Sequence, residues 1–250
     1  MRAGIFGFGR AGRAVATVFL QSKEAHLCWV IRRSNVLQHR SVPEFLGIQS
    51  DEPGLIFPKD EMSPEHLFDE HPVDVLIDFS SPEAILSYGE EAAKREIAIV
   101  SAISEYPADT VSFLNKLAKQ TRVLWSPNIT IGINFLMLAA KVLKSIAPYI
   151  DIEIVEEHFK AKKEVSGTAR KMAKSLSLPE ESIKTIRAGG IIGRHEILMG
   201  FPYQTIRLTH DSISREAFGN GALFAAQHLV DKSIGLYSME DILIPYFNMK

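Results

Sequence analysis

The first half of the chain is constrained most by its alternation of short apolar runs with helical patterns. Between the first two runs, residues 10–21 predict an amphipathic helix. The runs themselves are nearly continuous in apolar residues, which is typical of a parallel sheet covered on both faces. We therefore predict an α/β fold with an N-terminal doubly wound parallel sheet of the Rossmann type. Five runs predict its strands, at residues 2–6, 26–31, 73–79, 97–100 and 123–125.

The pattern changes after about Pro127. Residues 132–146 predict one long helix, and residues 151–157 alternate between apolar and polar side chains. Strands with one polar face favour an antiparallel or mixed sheet, so a second domain of α+β type is predicted. We place the first domain at residues 1–127, the second at 128–221, and expect residues 222–250 to pack back on the first. Residues 195–199 and 205–209 predict further strands, and 221–231 a helix.

Local signals predict two further helix starts in the first domain. Ser63 and Ser81 are each followed by a proline. Serine caps helix N-termini, and proline is favoured at the first helical position because its missing N–H has no partner there in any case. Helices are therefore expected to begin directly after these two serines.

Composition excludes several classes of partner. The chain has 250 residues and a formal net charge of -2, so a nucleic acid or an anionic membrane surface is not expected as a partner. The single cysteine, Cys28, cannot form an intrachain disulfide, and no apolar run is long enough to span a bilayer. We expect a cytoplasmic protein that binds a small molecule, because no leader pattern follows Met1. No cysteine pair or His-Glu-x-x-His motif indicates a metal.

A glycine-rich turn joins the first predicted strand to the first helix. Gly7 permits the tight turn, Gly9 lets the backbone approach a pyrophosphate, and Gly12 lets helix and strand pack closely. The helix N-terminus adds unpaired N–H groups that favour an anion. The alternative is a glycine-rich connection without a ligand. The predicted pyrophosphate site consists of Gly7, Phe8, Gly9, Arg10, Ala11 and Gly12.

The second predicted strand ends in Arg32, Arg33 and Ser34. A site that prefers NAD commonly has an acidic residue here to bind the ribose 2′-hydroxyl. Two guanidinium groups and a hydroxyl suit a 2′-phosphate instead. We therefore predict NADPH as the preferred cofactor, with NADH possible. Two arginines on a solvated loop are the alternative.

The densest polar cluster lies at residues 156–168, where the alternating strand ends. His158 can transfer a proton near neutral pH, and Lys162 adds a positive charge and a second proton donor. Ser166, Gly167 and Thr168 begin the next helical pattern, so their backbone N–H groups and a hydroxyl can receive a substrate carboxylate. These groups suit the reduction of an anionic, electrophilic substrate. The alternative is a solvated strand end rich in charge.

Two other features are weaker. Residues 125–134 join the last parallel strand to the long helix, and they predict either a nicotinamide wall and hinge or a simple domain linker. His195, His210 and His228 lie in apolar surroundings along the sequence. They are interpreted as packed, hydrogen-bonded residues and not as catalytic ones.

These segments resemble the dihydrodipicolinate reductase family, also named hydroxy-tetrahydrodipicolinate reductase, over nearly the whole chain. The resemblance rests on motifs whose order and spacing are distinctive: Gly9-Arg10 with Gly12-Arg13, Ile77-Asp78-Phe79-Ser80, Ser126-Pro127-Asn128 with Gly132 and Asn134, Glu153 to His158 with Lys162 and Ser166-Gly167-Thr168-Ala169, Arg187-Ala188-Gly189 with Gly193 and His195-Glu196, and Gly235-Leu236-Tyr237-Ser238-Met239.

The resemblance implies a Rossmann domain plus a mixed-sheet domain that binds substrate and forms a homotetramer. NADPH or NADH would reduce a cyclic imine dicarboxylate of the diaminopimelate and lysine pathway. His158 would be the acid/base residue, Lys162 the proton donor, and Gly167 and Thr168 the carboxylate site. Arg32 or Arg33 would bind the ribose end of the cofactor. Residues near the nicotinamide would be Asp78, Phe79, Ser101, Ala102, Ser126, Pro127 and Asn128.

Three positions depart from the family pattern. Phe159 stands where the family has a second histidine, no proline precedes Ser166, and residues 101–104 replace a Gly-Thr-Thr-Gly loop. Two alternatives to the lysine-pathway reaction therefore remain. One is reduction of a different cyclic imine in a specialised pathway. The other is a catalytically weak dinucleotide-binding protein, although such a protein has no need of the proton donors His158 and Lys162.

Overall fold

The structure, a computed structural model, describes residues 1–33 and 41–247, and its elements are numbered along the chain. The strands are β1 Arg2–Phe6, β2 His26–Arg32, β3 Leu55–Pro58, β4 Val75–Asp78, β5 Ala98–Ser101, β6 Arg122–Trp125, β7 Asp151–His158, β8 Ile183–Arg187, β9 Arg194–Phe201, β10 Gln204–Asp211 and β11 Gly235–Tyr237. The helices are α1 Arg10–Gln21, α2 Val42–Leu46, α3 Pro64–Glu70, α4 Ala84–Lys94, α5 Ala108–Leu117, α6 Ile131–Ile146, α7 Gly167–Ser175, α8 Glu216–Leu229 and α9 Met239–Phe247.

The chain divides into two compact units. The first comprises Met1–Thr130 together with the residues from Phe218 onward, and the second comprises Ile131–Ala217. The first unit contains a seven-stranded sheet in the order β11-β6-β5-β4-β1-β2-β3, in which all neighbouring strands pair in parallel. The predicted doubly wound parallel sheet is confirmed.

Continuous burial along the central strands explains why the parallel sheet could be predicted from the sequence. β4 and β5 are buried at every residue, as expected for strands covered on both faces. A cluster of large side chains packs there, with the Phe6 and Tyr88 rings stacked 4.1 Å apart. The edge strands β3 and β11 were missed because neither is a continuously buried apolar run: β3 is only partly buried and ends in a proline, and β11 has three residues that are all at least partly exposed.

One of the two predicted helix starts is correct. Ser63 caps α3, its side chain accepting a hydrogen bond from the N–H of His66, and a proline follows it. The second prediction is wrong, because α4 begins at Ala84 and not after Ser81. Asp78 binds the N–H and hydroxyl of Ser80, so the chain turns tightly after β4 before the helix can start.

The second unit contains a four-stranded mixed sheet in the order β10-β9-β7-β8. β9 pairs antiparallel with both β10 and β7, whereas β7 and β8 are parallel. The α6 and α7 helices contribute Met137 and Met172 to an apolar core with Ile154 and Met199 of the sheet. The predicted mixed sheet is confirmed, but β8 was missed because its middle three residues are exposed and lack an apolar run.

Strand ends determine where chemistry can take place in each unit. The parallel strands of the first sheet all present their C-terminal ends, and hence their connecting loops, at one edge. In the second unit, β7 and β8 are parallel and end together at His158 and Arg187. Among the described helices, none combines the length and the apolar character needed to cross a membrane.

Candidate active site

The glycine turn after β1 has the geometry that its sequence predicted. Gly7 has φ +95, and a Cβ added there would lie 2.6 Å from the carbonyl oxygen of Phe79. A Cβ at Gly12 would collide with the Gly7 carbonyl, whereas a Cβ at Gly9 would meet nothing within 4 Å. Protein packing therefore requires glycine at Gly7 and Gly12 but leaves open space beside Gly9. That space fits close approach of a pyrophosphate to the backbone.

A cavity of about 730 Å³ lies against this turn. Arg32 and Arg33 line it from the end of β2, and Arg32 Nη1 is buried without a hydrogen-bond partner among the described residues. A buried guanidinium nitrogen without a partner is costly, so an anion that fills the cavity would supply its missing acceptor. Ser34, predicted beside these arginines, lies outside the described residues. Of the other predicted cofactor residues, the cavity is lined by Gly7, Phe8, Gly9 and Phe79, but not by Arg10, Ala11 or Gly12.

An aromatic pair closes one side of the turn. The rings of Phe8 and Phe45 lie 5.3 Å apart, and the Arg13 guanidinium lies 4.7 Å from the centre of the Phe45 ring. Arg13 also lines the cavity, and its Nε is buried without a described hydrogen-bond partner. Sequence reasoning listed Phe8 but did not assign Arg13 to the cofactor. The signal was available, since Arg13 lies one residue after the last glycine of the motif.

Backbone hydrogen bonds tie together the loops at the C-terminal ends of β4, β5 and β6. The N–H of Ala102 donates to the Asp78 carbonyl at 2.9 Å, and the N–H of Ser126 donates to the Ser101 carbonyl at 2.9 Å. The Ser126 hydroxyl then donates to the Asn128 carbonyl at 2.6 Å, across Pro127. The residues predicted near the nicotinamide therefore form one connected edge of the first sheet.

Asp78 has a different place from the one expected for a residue beside the nicotinamide. Its side chain is fully buried and does not line the cavity. It accepts hydrogen bonds from the Ser80 hydroxyl at 2.5 Å and the Tyr88 hydroxyl at 2.6 Å. Burial raises the pKa of Asp78, although these bonds oppose the rise. Asp78 anchors the turn after β4, and Phe79 is the residue of this pair that faces the cavity.

The predicted reactive cluster in the second unit is centred on a carboxylate that sequence reasoning did not assign. Glu156 is fully buried, and its Oε2 lies 3.5 Å from His158 Nδ1. Its oxygens accept hydrogen bonds from the N–H of Ser166 at 3.0 Å and from Arg187 Nη2 at 2.6 Å. His158 is 7% exposed at the end of β7, so it is held in place yet open at one edge.

Arg187 links this centre to the loop that carries Lys162. Its Nε donates to the carbonyl of Lys162 at 3.0 Å, and its Nη2 donates to the carbonyl of Glu164 at 3.0 Å. The same guanidinium forms the ion pair with Glu156 at the far end. Arg187 was noted within a family motif but was given no role. It brings the Lys162 loop to the end of β7.

His195 is packed and hydrogen-bonded, as predicted, but its surroundings are polar and not apolar. Its ring lies 5.2 Å from that of His158, and its Nε2 lies 3.1 Å from the Ser166 hydroxyl. The sequence could not reveal these neighbours because β9 pairs antiparallel with β7, and the register places His195 opposite Glu156. His228 is also packed and hydrogen-bonded as predicted, to the Phe224 carbonyl and the Tyr246 hydroxyl, whereas His210 Nδ1 is buried without a hydrogen-bond partner among the described residues.

Three buried donors lie within 4.8 Å of one another, from Glu156, His158 and His195. Such a set can hold a divalent cation. Here, however, both Glu156 oxygens already accept hydrogen bonds, and the Arg187 guanidinium at 2.6 Å would repel a cation. We interpret the group as a polar catalytic cluster.

The charge states in this cluster follow from burial and partners. Burial raises the pKa of Glu156, but hydrogen bonds from Ser166 and Arg187 outweigh it and lower the pKa overall, so the carboxylate is ionised. Burial lowers the pKa of His158, with Glu156 opposing the fall and Lys162 and Arg187 adding to it. Burial and the nearby His158 lower the pKa of His195 to about 4. At neutral pH the cluster therefore combines one carboxylate with two neutral imidazoles.

The N-terminus of α7 adds a possible anion site. Ser166 caps the helix, its hydroxyl accepting a hydrogen bond from the N–H of Ala169 at 3.0 Å. Because the Ser166 N–H already binds Glu156, an anion would approach the helix end at Gly167, where an added Cβ would meet nothing within 4 Å. Gly167 therefore fits the predicted carboxylate site better than Ser166, which holds the helix end in place, and Thr168 follows it in the first turn of α7.

Comparisons with known proteins cover both units of the chain. The model for the N-terminal part of dihydrodipicolinate reductase matches residues 1–129, and the model for its C-terminal part matches residues 129–243. A 4-hydroxy-tetrahydrodipicolinate reductase from Caldanaerobacter subterraneus is 35% identical over 68% of this chain and 76% of its own length. One from Nitratidesulfovibrio vulgaris is 30% identical over 97% of this chain and its entire own length.

Solved structures agree with the fold. A dipicolinate-bound dihydrodipicolinate reductase from Paenisporosarcina sp. TG-14 aligns with a TM-score of 0.81 over 97% of this chain and 99% of that one, at 21% identity. The family resemblance read from the motifs is therefore confirmed, as is the expectation of an oxidoreductase that uses a nicotinamide dinucleotide and a small-molecule substrate. This chain belongs to the dihydrodipicolinate reductase family.

Proposed function

We propose that the protein reduces 4-hydroxy-tetrahydrodipicolinate to tetrahydrodipicolinate with NADPH. The observation that carries this proposal is the cluster around Glu156, in which a buried carboxylate lies 3.5 Å from His158 and pairs with Arg187, which in turn holds the Lys162 loop. Curated relatives at 30–35% identity bear the name of this reaction. Dipicolinate, the ligand of the structural relative, is a six-membered nitrogen ring with two carboxylates, as is the proposed substrate.

The proposed reaction balances in two parts. The ring first loses its hydroxyl group and a neighbouring proton as water, and the conjugated imine then gains one hydride and one proton. NADPH supplies the hydride. Lys162 donates the proton, and its positive charge stabilises negative charge that develops on the ring nitrogen. His158, neutral because burial lowers its pKa, accepts or returns a proton at the edge of the site. Gly167 and Thr168 bind one substrate carboxylate.

The cofactor preference is proposed from the end of β2. Arg32 lines the cavity, and its buried Nη1 is without a described partner, which favours a bound 2′-phosphate. Arg32→Ala should weaken NADPH binding by about 10–100-fold and leave NADH binding nearly unchanged, because a charge-assisted hydrogen bond contributes about 1.5–3 kcal/mol. Arg10→Ala is the matched control, since a pyrophosphate contact would affect both cofactors equally. Equal losses in Arg32→Ala would contradict the preference.

The organisation around the site is also proposed. We assign dinucleotide binding to the first unit, and substrate binding and assembly into a homotetramer to the second. Support comes from the mixed sheet, whose edge strand β10 exposes alternate residues along its whole length. Analytical ultracentrifugation should give a mass four times that of the chain. A monomer or dimer at micromolar concentration would contradict the tetramer.

The activity is tested by following NADPH oxidation while a coupled synthase generates the unstable substrate in situ. We expect turnover of about 1–10³ s⁻¹ in the wild-type protein. His158→Gln should lower kcat by about 10²–10⁴-fold with little change in NADPH affinity. His66→Gln, which changes an exposed histidine of α3, is the matched control. An unchanged kcat in His158→Gln would remove this residue from the mechanism.

A second candidate is reduction of a different cyclic imine, and Phe159 favours it. This aromatic side chain is 44% exposed directly after His158, at a position where the family has a histidine. An apolar group there suits a substrate with one carboxylate fewer. Tight NADPH binding without turnover of the lysine-pathway substrate would support this candidate. In that case Phe159→His should gain activity toward 4-hydroxy-tetrahydrodipicolinate.

A further inference from the structure

We propose that Glu156 and Arg187 form a positioning pair. The Glu156 carboxylate places its charge 3.5 Å from His158 Nδ1, which is buried without a hydrogen-bond partner among the described residues, and Arg187 holds the backbone of the Lys162 loop. Neither residue is given a role by the family resemblance or by the relatives' names. The inference deepens the proposed function, because it concerns the same site. It makes no claim that either side chain touches the substrate or the cofactor.

The Glu156 carboxylate is buried, and both of its oxygens are hydrogen-bonded within the protein. Glu156 has no exposed surface, and its Oε1 and Oε2 both accept hydrogen bonds, from Arg187 and from the N–H of Ser166. It therefore has no free oxygen with which to reach a substrate. It lies instead between the end of β7 and the start of α7, two elements that carry separate parts of the site.

The Arg187 guanidinium connects Glu156 to the loop that carries Lys162. Besides the carbonyl of the preceding residue, Arg187 binds three separate acceptors: the Glu156 carboxylate and the carbonyls of Lys162 and Glu164. The two carbonyls flank Lys163, so this one side chain holds the loop at two points. A planar guanidinium can make these bonds in several directions at once, whereas a lysine ammonium cannot match them. Loss of the guanidinium would release the loop that carries the proposed proton donor.

The charges around His158 act on its pKa. His158 faces charged or titratable groups from four places: Glu156 on its own strand, Lys162 on the loop, Arg187 on β8 and His195 on β9. Burial, Lys162 and Arg187 lower the pKa of His158, and Glu156 is the group that raises it. The carboxylate thus opposes the fall in the pKa of His158 that burial and the two cations cause.

The two residues predict different defects. Glu156→Gln keeps the size of the side chain but removes its charge, so the pKa of His158 should fall further. Arg187→Lys keeps the charge but loses the bonds to the loop, so amide hydrogen exchange at residues 160–166 should accelerate. Each variant should lower kcat by about 10–100-fold, because misplaced catalytic groups lose rate steeply. NADPH affinity should stay within twofold of the wild type.

The decisive experiment is an NMR titration of His158 in the full-length protein, with its resonance assigned through His158→Gln. The matched control is Glu157→Gln, which removes a neighbouring carboxylate that pairs with Arg194. We expect Glu156→Gln to shift the titration of His158 to lower pH and Glu157→Gln to leave it unchanged. The acidic limb of the kcat/KM profile should shift in the same direction.

The outcomes separate this inference from the proposed function. An unchanged His158 titration in Glu156→Gln, or unchanged loop exchange in Arg187→Lys, would overturn the positioning pair even if the wild-type enzyme turns over the substrate. A wild-type protein without turnover would overturn the proposed substrate, while the titration and exchange measurements would still test the pair. If Glu156→Gln does not fold, Glu156→Asp retains the charge at a greater distance and should also lower the His158 titration midpoint.

Discussion

The two units each bury one carboxylate completely, and the two carboxylates behave in opposite ways. Asp78 in the first unit accepts hydrogen bonds from neutral groups, the hydroxyls of Ser80 and Tyr88. Glu156 in the second unit accepts from a guanidinium and a backbone N–H. Burial raises the pKa of Asp78 despite its partners, whereas the partners of Glu156 outweigh burial and lower its pKa.

The difference shows that the partner, and not the depth of burial, decides what a buried acid does. Neutral donors satisfy the oxygens of Asp78 without neutralising its charge, so Asp78 serves as an anchor for the turn after β4. A permanent cation beside Glu156 keeps the carboxylate ionised where its field can act on His158. Asp78 therefore fixes the turn after β4, and in the proposed mechanism Glu156 supports proton transfer by His158.

The largest expected effect comes from removing the cation. Arg187→Leu would leave the Glu156 carboxylate buried without its counter-ion, which typically destabilises a protein by about 3–5 kcal/mol. The free energy of unfolding, measured in urea at pH 7, should fall by this amount. If this fall comes from the unpaired, buried charge of Glu156, part of the free energy of unfolding should be recovered in the double variant Arg187→Leu/Glu156→Gln.

An exposed ion pair provides the control for that prediction. Arg170 pairs with Glu180 at 3.1 Å, and both side chains are about half exposed, at 49% and 60%. Arg170→Leu should change the free energy of unfolding by less than about 1 kcal/mol, as exposed pairs usually do. Equal losses in the two arginine variants would contradict the view that Glu156 is an ionised buried centre.

A smaller effect should appear when pH is lowered. The pKa of His195 in the folded protein is about 4, below its ordinary value of 6.5, because burial disfavours the charged ring. The unfolded chain therefore binds a proton between these two pH values while the folded protein does not. Stability contributed by the neutral ring is complete above pH 6.5 and is lost as pH falls toward 4, by about 3 kcal/mol.

His195→Gln tests this slope. Its free energy of unfolding should depend less steeply on pH between 6.5 and 4 than that of the wild type, whatever its value at pH 7. His66→Gln, at an exposed position of α3, should keep the wild-type slope. A wild-type slope in His195→Gln would mean that His195 is not the group being protonated.

The glycine turn could be predicted from sequence because the residues that form it lie close together along the chain. Gly7, Gly9 and Gly12 lie within six residues, and the turn follows from their backbone freedom and close contacts. The β2 end that carries Arg32 follows from one apolar run and a fixed offset. Even in this unit, the helix start predicted after Ser81 was wrong. The side chain of Asp78 sets the turn that precedes α4, and no periodic pattern in the sequence indicates that contact.

The centre of the reactive site could not be predicted in the same way. Glu156, Arg187 and His195 meet because β7 pairs with β8 in one direction and with β9 in the other. Strand register is not visible in the sequence of any one strand, and β8 was not recognised as a strand. The residues that sequence did identify, His158 and Lys162, are those whose chemistry is evident without knowing their neighbours.

The smallest expected effect compares the two acids directly. Asp78→Asn keeps an acceptor for Ser80 and removes a charge that burial already disfavours, so at pH 7 the free energy of unfolding should change by no more than about 1 kcal/mol. Glu156→Gln loses charge-assisted hydrogen bonds and should cost about 2–3 kcal/mol.

The sign of the pH dependence should differ as well. The raised pKa of Asp78 favours folding as pH falls, whereas the lowered pKa of Glu156 opposes it. Urea unfolding of both variants at pH 7 and pH 4 measures these differences, because the contribution of Glu156 is lost only below its ordinary pKa of 4.5. A larger loss in Asp78→Asn than in Glu156→Gln at pH 7 would reverse the roles assigned to the two carboxylates.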